Sequence, residues 1–286
     1  MYVWLKGEEF KMLKLSKRSK IIVFILFILY SIIVLVPFLN IVMNSFKNLS
    51  EIFLAPFSPP TQLRWENYKE AWGKANLGIG YLNSLIISSF SVIGILIISS
   101  MMAFILSRYR FPLRRALYLY IIAGLAFPAR LAIIPIFLML RDVGLLNSRL
   151  GLILLYIGTG VPFSVFLLKN FLDEVPGELE ESAQIDGASP WTIFRKIDLP
   201  LIKPALVVVA IVNFISVWND FFFPLILISD RSKETIPLAV SVFYGEYANQ
   251  WHLLSTALWL AVVPIIIIYA FMSREFISGM TQGAIK

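Results

Sequence analysis

Long apolar runs alternate with short polar connections along almost the whole chain. Six of these runs are close to or above the roughly 20 residues that a helix needs to cross a bilayer. They lie at 21–43, 81–106, 116–140, 150–170, 205–228 and 253–277. The pattern predicts an all-α integral membrane protein with six transmembrane helices.

The composition agrees with this prediction. Hydrophobic residues make up 58% of the 286 positions and charged residues 15%, and the mean hydropathy is +0.79, far outside the range of soluble domains. The net charge of +7 is typical of orientation signals on cytoplasmic loops, so we expect membrane lipid and no nucleic acid around the chain. The absence of cysteine excludes a disulfide scaffold, a thiolate metal site and a cysteine nucleophile.

The basic residues predict an orientation in the cell membrane. The first apolar run follows the basic segment 11–20 and no small-residue cleavage site follows it, so we interpret it as a retained helix. With the N-terminus inside, the cytoplasmic segments hold about twice as many basic residues as the outer ones, and 107–115 is the strongest anchor. We therefore predict a cytoplasmic segment 1–20, with Met12 as an alternative start, and a six-span domain 21–286 with both termini cytoplasmic.

The polar segment 173–204, between the fourth and fifth runs, predicts a helical hairpin. Pro176 suits a first helical turn, Gly187 suits a left-handed helix end, and Ser189 can cap a second helix. We expect Leu199–Pro200 to end that second helix. Its apolar stripe is spaced i, i+3, i+4, i+7 and consists of Pro190, Ile193, Phe194 and Ile197.

Three roles for this hairpin compete: lying on lipid, reading DNA, or docking to a cytoplasmic partner. The segment 169–204 carries seven acidic residues against four basic ones, and DNA phosphates would repel it. We reject DNA binding and favour presentation of the stripe to a groove on a partner.

The hairpin sequence "ESAQIDGASPWTIFRKIDLP" (181–200) resembles the EAA motif of ATP-binding-cassette importer permeases. That motif reads Glu-Ala-Ala, three residues, Gly, nine residues, Ile, any residue, Leu-Pro, and the one departure here is Ser182 for the first Ala. The segments "YLNSLIIS" (81–88), "WNDFFFPLIL" (218–227) and "FISGMTQGAIK" (276–286) are similar to the maltose- and glycerol-phosphate-type carbohydrate-uptake branch. The resemblance covers nearly the whole chain.

The resemblance implies an assembly in which this chain is one permease. Its partners would be a second homologous permease, two ATPase subunits that bind ATP and Mg, and an extracytoplasmic solute-binding protein. The hairpin would seat in a cleft of an ATPase subunit. The implied and predicted coupling contacts are Glu181, Ser182, Ala183, Asp186, Gly187, Phe194, Ile197, Leu199 and Pro200.

We expect no catalytic residue, cofactor site or metal site in this chain. The sequence has no G-x-x-x-x-G-K-[ST] phosphate loop, and His252 is its only histidine, which leaves little for a metal site or a catalytic triad. ATP is therefore expected to be hydrolysed on another subunit.

Two charges, Arg130 and Asp220, fall inside the apolar runs, where a charge is costly and usually paired or functional. Counting residues places both at one depth, and we favour an ion pair between them over contact with the solute. Polar and aromatic groups nearby predict a pathway for a neutral polyol. They are Asn83, Asn213, Trp218, Asn219, Asp220 and Tyr244.

Together these features predict the permease subunit of an ATP-driven importer, forming half of the path for a sugar or sugar-like solute. Two alternatives stay open: a secondary transporter driven by an ion gradient, and an importer of the same class for amino acids, peptides or anions.

Overall fold

The computed structural model describes residues 16–245 and 250–282, except the side chains of residues 17, 245 and 271–282. Within these ranges every regular element is a helix, and the predicted all-α class is confirmed. The α-helices are α1 Lys17–Ser45, α2 Leu49–Leu54, α3 Glu66–Lys74, α4 Leu77–Arg108, α5 Arg114–Ala126, α6 Ile133–Asp142, α7 Arg149–Glu174, α8 Glu178–Ile185, α9 Pro190–Ile193, α10 Leu199–Leu201, α11 Lys203–Trp218, α12 Phe222–Leu227, α13 Ile236–Val240, α14 Val242–Gly245 and α15 Trp251–Gln282. The predicted segment 1–20 lies mostly outside the described residues.

Four helices, α1, α4, α7 and α15, are each long and apolar enough to cross a membrane. Two further regions meet this condition only as bent pairs. Helices α5 and α6 meet at 87°, and the helical segment Pro190–Leu201 meets α11 at 75°. The third apolar run is therefore bent at Pro128, and the 75° bend lies ahead of the fifth run, which begins at 205.

Both predicted spans break next to the charge that they contain. In the third, Pro128 lacks an N–H and holds Phe127 in an extended conformation, so α5 ends there and a 3-10 turn, Ala129–Ala132, carries Arg130. In the fifth, α11 ends at Trp218, and Asp220 accepts a hydrogen bond from the Phe223 backbone N–H at the start of α12 (3.2 Å). Both charges therefore lie at breaks between helices and not inside a continuous α-helix.

The centre of the fold is α4, which packs along α7 and also against α11. One core cluster joins α4, α7 and α11 to the hairpin, and a second surrounds Trp218 and joins α3, α4, α11, α13 and α15. Helix α1 rests on α15 and leaves most of its apolar side chains exposed, as a helix facing lipid would.

Candidate functional site: a helical hairpin and two cavities

The first arm of the hairpin, α8, ends in the turn that the sequence predicts. Gly187 has φ +80°, its N–H donates to the Gln184 carbonyl, and the Ala188 N–H donates to the Ala183 carbonyl. These two bonds form a Schellman motif, which satisfies carbonyls that the helix end leaves free. The turn is therefore fixed by the backbone, and a side chain at Gly187 would be strained whatever space surrounds it.

The second arm also begins as predicted, because the Ser189 hydroxyl accepts from the Thr192 N–H and Pro190 occupies the first turn. Its predicted end at Leu199–Pro200 lies within one residue of the observed end at Leu201. The helix continues from α9 through a π-helical segment, Phe194–Asp198, into α10, and the chain bends only before α11. Pro200 is the next-to-last residue of this helix.

The apolar stripe of the second arm faces inward, so the expectation of an outward docking stripe is wrong. Ile193 is 2% exposed and Phe194 is 4% exposed, and both belong to the core with α4, α7 and α11. The ring of Phe194 lies 5.0 Å from that of Phe104. An amphipathic stripe can be buried by its own bundle as well as by a partner, and here the bundle covers it.

The outer face of the hairpin is formed by other residues. Ile185, at the end of α8, is 87% exposed, and Trp191 and Leu179 are also exposed apolar side chains. Of the predicted coupling residues, Glu181, Ser182, Asp186, Gly187 and Pro200 are exposed, whereas Ala183, Ile197 and Leu199 are half-buried against the core. The sequence pattern missed Ile185 because it lies outside the stripe, although an apolar residue at the end of a polar helix is a usable signal.

Arg108, the last residue of α4, connects both arms of the hairpin. Its Nε contacts the Glu180 carboxylate on α8, and its Nη2 lies 3.4 Å from Asp198 Oδ1 on the second arm. The same Nη2 donates to the Val175 carbonyl (3.3 Å). All three charged side chains are largely buried, with exposures of 14% for Arg108, 10% for Glu180 and 0% for Asp198. This cluster was not predicted, because its members lie far apart in the sequence.

The cluster holds two carboxyl groups for one guanidinium. Burial, followed by the like charge of Asp198, raises the pKa of Glu180 to about 7, although Arg108 opposes the rise. Burial also raises the pKa of Asp198 above its usual value. Near neutral pH, Glu180 is thus partly protonated, which relieves the repulsion between the two acids.

The structure brings Arg130 and Asp220 together, with Arg130 Nη2 3.7 Å from Asp220 Oδ1. The pair is unequal, because the Arg130 side chain is 70% exposed and that of Asp220 is 8% exposed. Asp220 Oδ2 accepts from the Tyr156 hydroxyl at 2.8 Å as well as from the Phe223 N–H. Asp220 is therefore anchored by this chain's own groups, with Arg130 as an additional, exposed partner.

This pair lines a cavity of about 560 Å³, which we call the polar cavity because Arg130, Asp220 and Asn213 lie in its wall. Asn213 also lines it, while its Nδ2 donates to Ser164 Oγ (3.1 Å) and the Val209 carbonyl (2.8 Å). The guanidinium of Arg130 is the most exposed charged group in the wall, so the cavity can offer hydrogen-bond donors to an incoming polar group.

A second cavity of about 510 Å³ is mostly apolar and includes two of the predicted aromatic residues, Trp218 and Tyr244. Asn219 lines both cavities. The predicted pathway residues thus divide between a polar and an apolar wall that meet at Asn219.

Asn83 lines neither of these two cavities. It is fully buried, and its Nδ2 donates to the carbonyls of Ser232 (3.0 Å) and Glu234 (2.8 Å). The polar residue that the sequence assigns to a solute path instead holds the backbone that leads into α13.

Known permease proteins are similar in sequence to this chain over nearly its whole length. The diacetylchitobiose uptake system permease protein NgcG of Streptomyces coelicolor is 38% identical over 90% of this chain and 86% of its own length. The melibiose/raffinose/stachyose import permease protein MelC of Bacillus subtilis is 31% identical over 88% of this chain and 91% of its own length.

A solved structure shares the fold. The crystal structure of a bacterial ATP-binding-cassette transporter involved in alginate import matches with a TM-score of 0.80 at 24% identity, covering 92% of this chain and 99% of that one. Residues 95–282 match the family model for the binding-protein-dependent transport system inner membrane component. This chain therefore belongs to that family of transport-system membrane components.

Proposed function

We propose that this chain is the permease subunit of an ATP-driven importer of oligosaccharides and forms half of the solute path. The observation that carries the sugar assignment is the likeness to NgcG and MelC, which extends over nine-tenths of the chain. The two adjoining cavities suit such a solute, because a sugar has hydroxyl edges for polar groups and C–H faces for aromatic ones.

In this proposal the bent pair α5–α6 counts as one crossing, and α11 crosses after the cytoplasmic second arm of the hairpin, Pro190–Leu201, which gives six spans. Both termini and the hairpin lie in the cytoplasm, in keeping with the basic residues at 107–115. The proposed partners are a second homologous permease, two ATPase subunits and an extracytoplasmic solute-binding protein. ATP and Mg bind to the ATPase subunits.

The hairpin docks on an ATPase subunit through its outer face. Ile185 enters a groove of that subunit, surrounded by Glu181, Ser182 and Asp186, while Gly187 keeps the turn tight. The half-buried and buried coupling residues support this face from beneath. They are Ala183, Phe194, Ile197 and Leu199.

The docking face is tested with Ile185→Asp in the tagged full-length chain. We expect this variant to lose the ATPase subunits in a pull-down from solubilised membranes while it keeps the second permease. Leu113→Asp is the matched control, because Leu113 is 80% exposed, lies outside the hairpin and has a left-handed backbone that Asp tolerates. Undiminished ATPase recovery with Ile185→Asp would favour a hairpin that lies on lipid.

The solute is tested in proteoliposomes that contain the co-purified complex, its binding protein and luminal ATP. The panel is radiolabelled diacetylchitobiose, melibiose, raffinose, an alginate oligosaccharide and a mixture of amino acids. We expect uptake of at least one oligosaccharide that stops without ATP and persists with ionophores. Uptake driven by an ion gradient without ATP would contradict the proposal, and uptake of amino acids alone would overturn the sugar assignment.

A further inference from the structure

Helix α4 has specific polar contacts at both of its ends. Arg108 is its last residue, and Asn83 and Ser84 lie in its second turn. At about 1.5 Å per residue, Asn83 and Arg108 are separated by about 38 Å along the helix axis. The helix therefore connects two distant parts of the molecule, the hairpin and the segment in front of α13.

At the Asn83 end, side chains of α4 hold a backbone segment. Asn83 donates to the carbonyls of Ser232 and Glu234, and Ser84 Oγ accepts from the Ile236 N–H at 2.9 Å. Asn83 is 0% exposed and Ser84 is 2% exposed, so water does not compete for these bonds. The segment leads directly into α13, whose residues Ile236 and Pro237 form part of the apolar cavity wall.

At the Arg108 end, the contact is with a hairpin that is not adjacent to α4 along the chain. The hairpin continues directly into α7 on one side and α11 on the other. Arg108 contacts both arms and the Val175 carbonyl between α7 and α8, and the Phe104–Phe194 ring contact adds an apolar connection. A displacement of either arm therefore acts on the end of α4.

Helix α4 is also the least interrupted connection between the hairpin and the cavities. Of the four long helices, α1 contains Pro37, α7 contains Pro162 and α15 contains Pro264, whereas α4 contains no proline over its 32 residues. The second arm of the hairpin meets α11 at 75°. Prolines and breaks are the usual sites at which a helix bends, so α4 is the element best suited to move as one rigid body.

We infer that α4 is a strut that carries displacement of the hairpin to the wall of the apolar cavity, with Arg108 and Asn83 as positioning residues at its ends. This inference rests on the proposed function, because it takes the hairpin as the element that the ATPase moves. Removing either end contact uncouples the cavity wall from ATP while the ATPase stays bound. Coupling between two such sites typically amounts to a factor of about 5 to 150.

The absence of cysteine allows a direct test, since Tyr244→Cys supplies a single labelling position in this chain. Tyr244 lines the apolar cavity and is 63% exposed, so an environment-sensitive fluorophore there reports on the wall. The full complex is labelled in lipid nanodiscs and given MgATP alone. The complex with the unsubstituted chain, labelled in parallel, gives the background from partner subunits.

We expect MgATP to change the emission of the labelled Tyr244→Cys complex. Adding Arg108→Gln or Asn83→Leu reduces this change at least about five-fold, with unchanged recovery of the ATPase on gel filtration. Arg110→Gln is the control, because Arg110 is an exposed arginine two residues beyond the end contact. With this variant, the labelled Tyr244→Cys complex should show the same emission change as without it. The double variant Arg108→Gln/Asn83→Leu loses no more than either single variant, because both contacts lie on one line of transmission.

A full emission change in either single variant, with the ATPase bound, overturns the strut. If the reductions of the emission change multiply in the double variant, the strut is overturned as well, because the two contacts then act through independent routes. If Arg108→Gln does not assemble, Glu180→Gln/Asp198→Asn, which removes both carboxylates that Arg108 contacts, is judged by the same criteria. No response to MgATP before any end contact is removed contradicts the proposed ATPase coupling itself, so the two failures are distinguishable.

Discussion

Two arginine–carboxylate groups in this chain are built in opposite ways. In the first, Arg108 is buried and is the shared partner of two buried acids, Glu180 and Asp198. In the second, Asp220 is buried and anchored by a hydroxyl and a backbone N–H, while Arg130 is mostly exposed. In the first group, the arginine is the partner that both carboxylates share. In the second group, the carboxylate is the member that other groups of the chain hold in place.

This difference determines what each group can do. A buried charge whose partner is removed is left uncompensated, which is expensive, whereas an exposed charge keeps other ways to be solvated. The first group is suited to holding two elements together. The second leaves a guanidinium free to meet a solute in the polar cavity.

The largest expected effect is at Arg108. Arg108→Met leaves Glu180 and Asp198 without their shared cation, and we expect a loss of about 3 to 5 kcal/mol in the free energy of unfolding. Denaturation of the purified chain in lipid–detergent micelles measures it. Arg110→Met, the exposed control, should stay within about 0.5 kcal/mol of the wild type. Equal losses in the two variants would remove the distinction between them.

A smaller loss is expected at Asp220. Asp220→Leu removes the acceptor of the buried Tyr156 hydroxyl, which should cost about 2 kcal/mol in the same denaturation experiment. Adding Tyr156→Phe removes the orphaned hydroxyl and should restore part of that loss. No loss in Asp220→Leu would show that the anchoring bonds contribute nothing to stability.

Arg130→Met should lower stability by less than about 1 kcal/mol, because the side chain that it removes is mostly exposed. From the sequence we favoured an ion pair, for which each single variant would lose stability and the double variant would recover much of it. The structure changes that expectation: Arg130→Met/Asp220→Leu should match Asp220→Leu within about 0.5 kcal/mol. Clear recovery in the double variant would restore the buried-pair interpretation.

The smallest effect is on pH dependence, and it is specific to the first group. Because the folded-state pKa of Glu180 is raised from 4.5 to about 7, the folded chain holds this proton more tightly than the unfolded chain. The contribution of this group is complete below pH 4.5 and is lost as the pH rises through about 7. Glu180→Gln should flatten this part of a stability–pH series, and an unchanged slope would mean that Glu180 does not titrate there.

Local signals in the sequence were sufficient for much of the hairpin. Gly187, Ser189 and Pro190 each have one conformational role, and the structure gives each of them that role. Hydropathy likewise located the membrane-crossing regions, because bilayer thickness sets the length of an apolar run.

Long-range contacts account for most of what the sequence did not predict. The burial of Phe194 depends on which surface covers an amphipathic stripe, and periodicity is the same for both choices. Contact of Arg108 with Glu180 and Asp198 joins residues from different parts of the chain. Pro128 marks a bend in the third run, but counting residues along the run could not give its 87° angle.

The division between the two groups is tested most directly by measuring solute transported per ATP hydrolysed, together with the KM for solute, in Arg108→Gln and Arg130→Gln. The reconstituted complex and the panel oligosaccharide with the fastest uptake are used for both. We expect Arg108→Gln to lower the transport ratio about five-fold or more with an unchanged KM, and Arg130→Gln to raise the KM with an unchanged ratio. The same change in both variants, or the reverse assignment, would contradict a coupling role for the first group and a solute-facing role for the second.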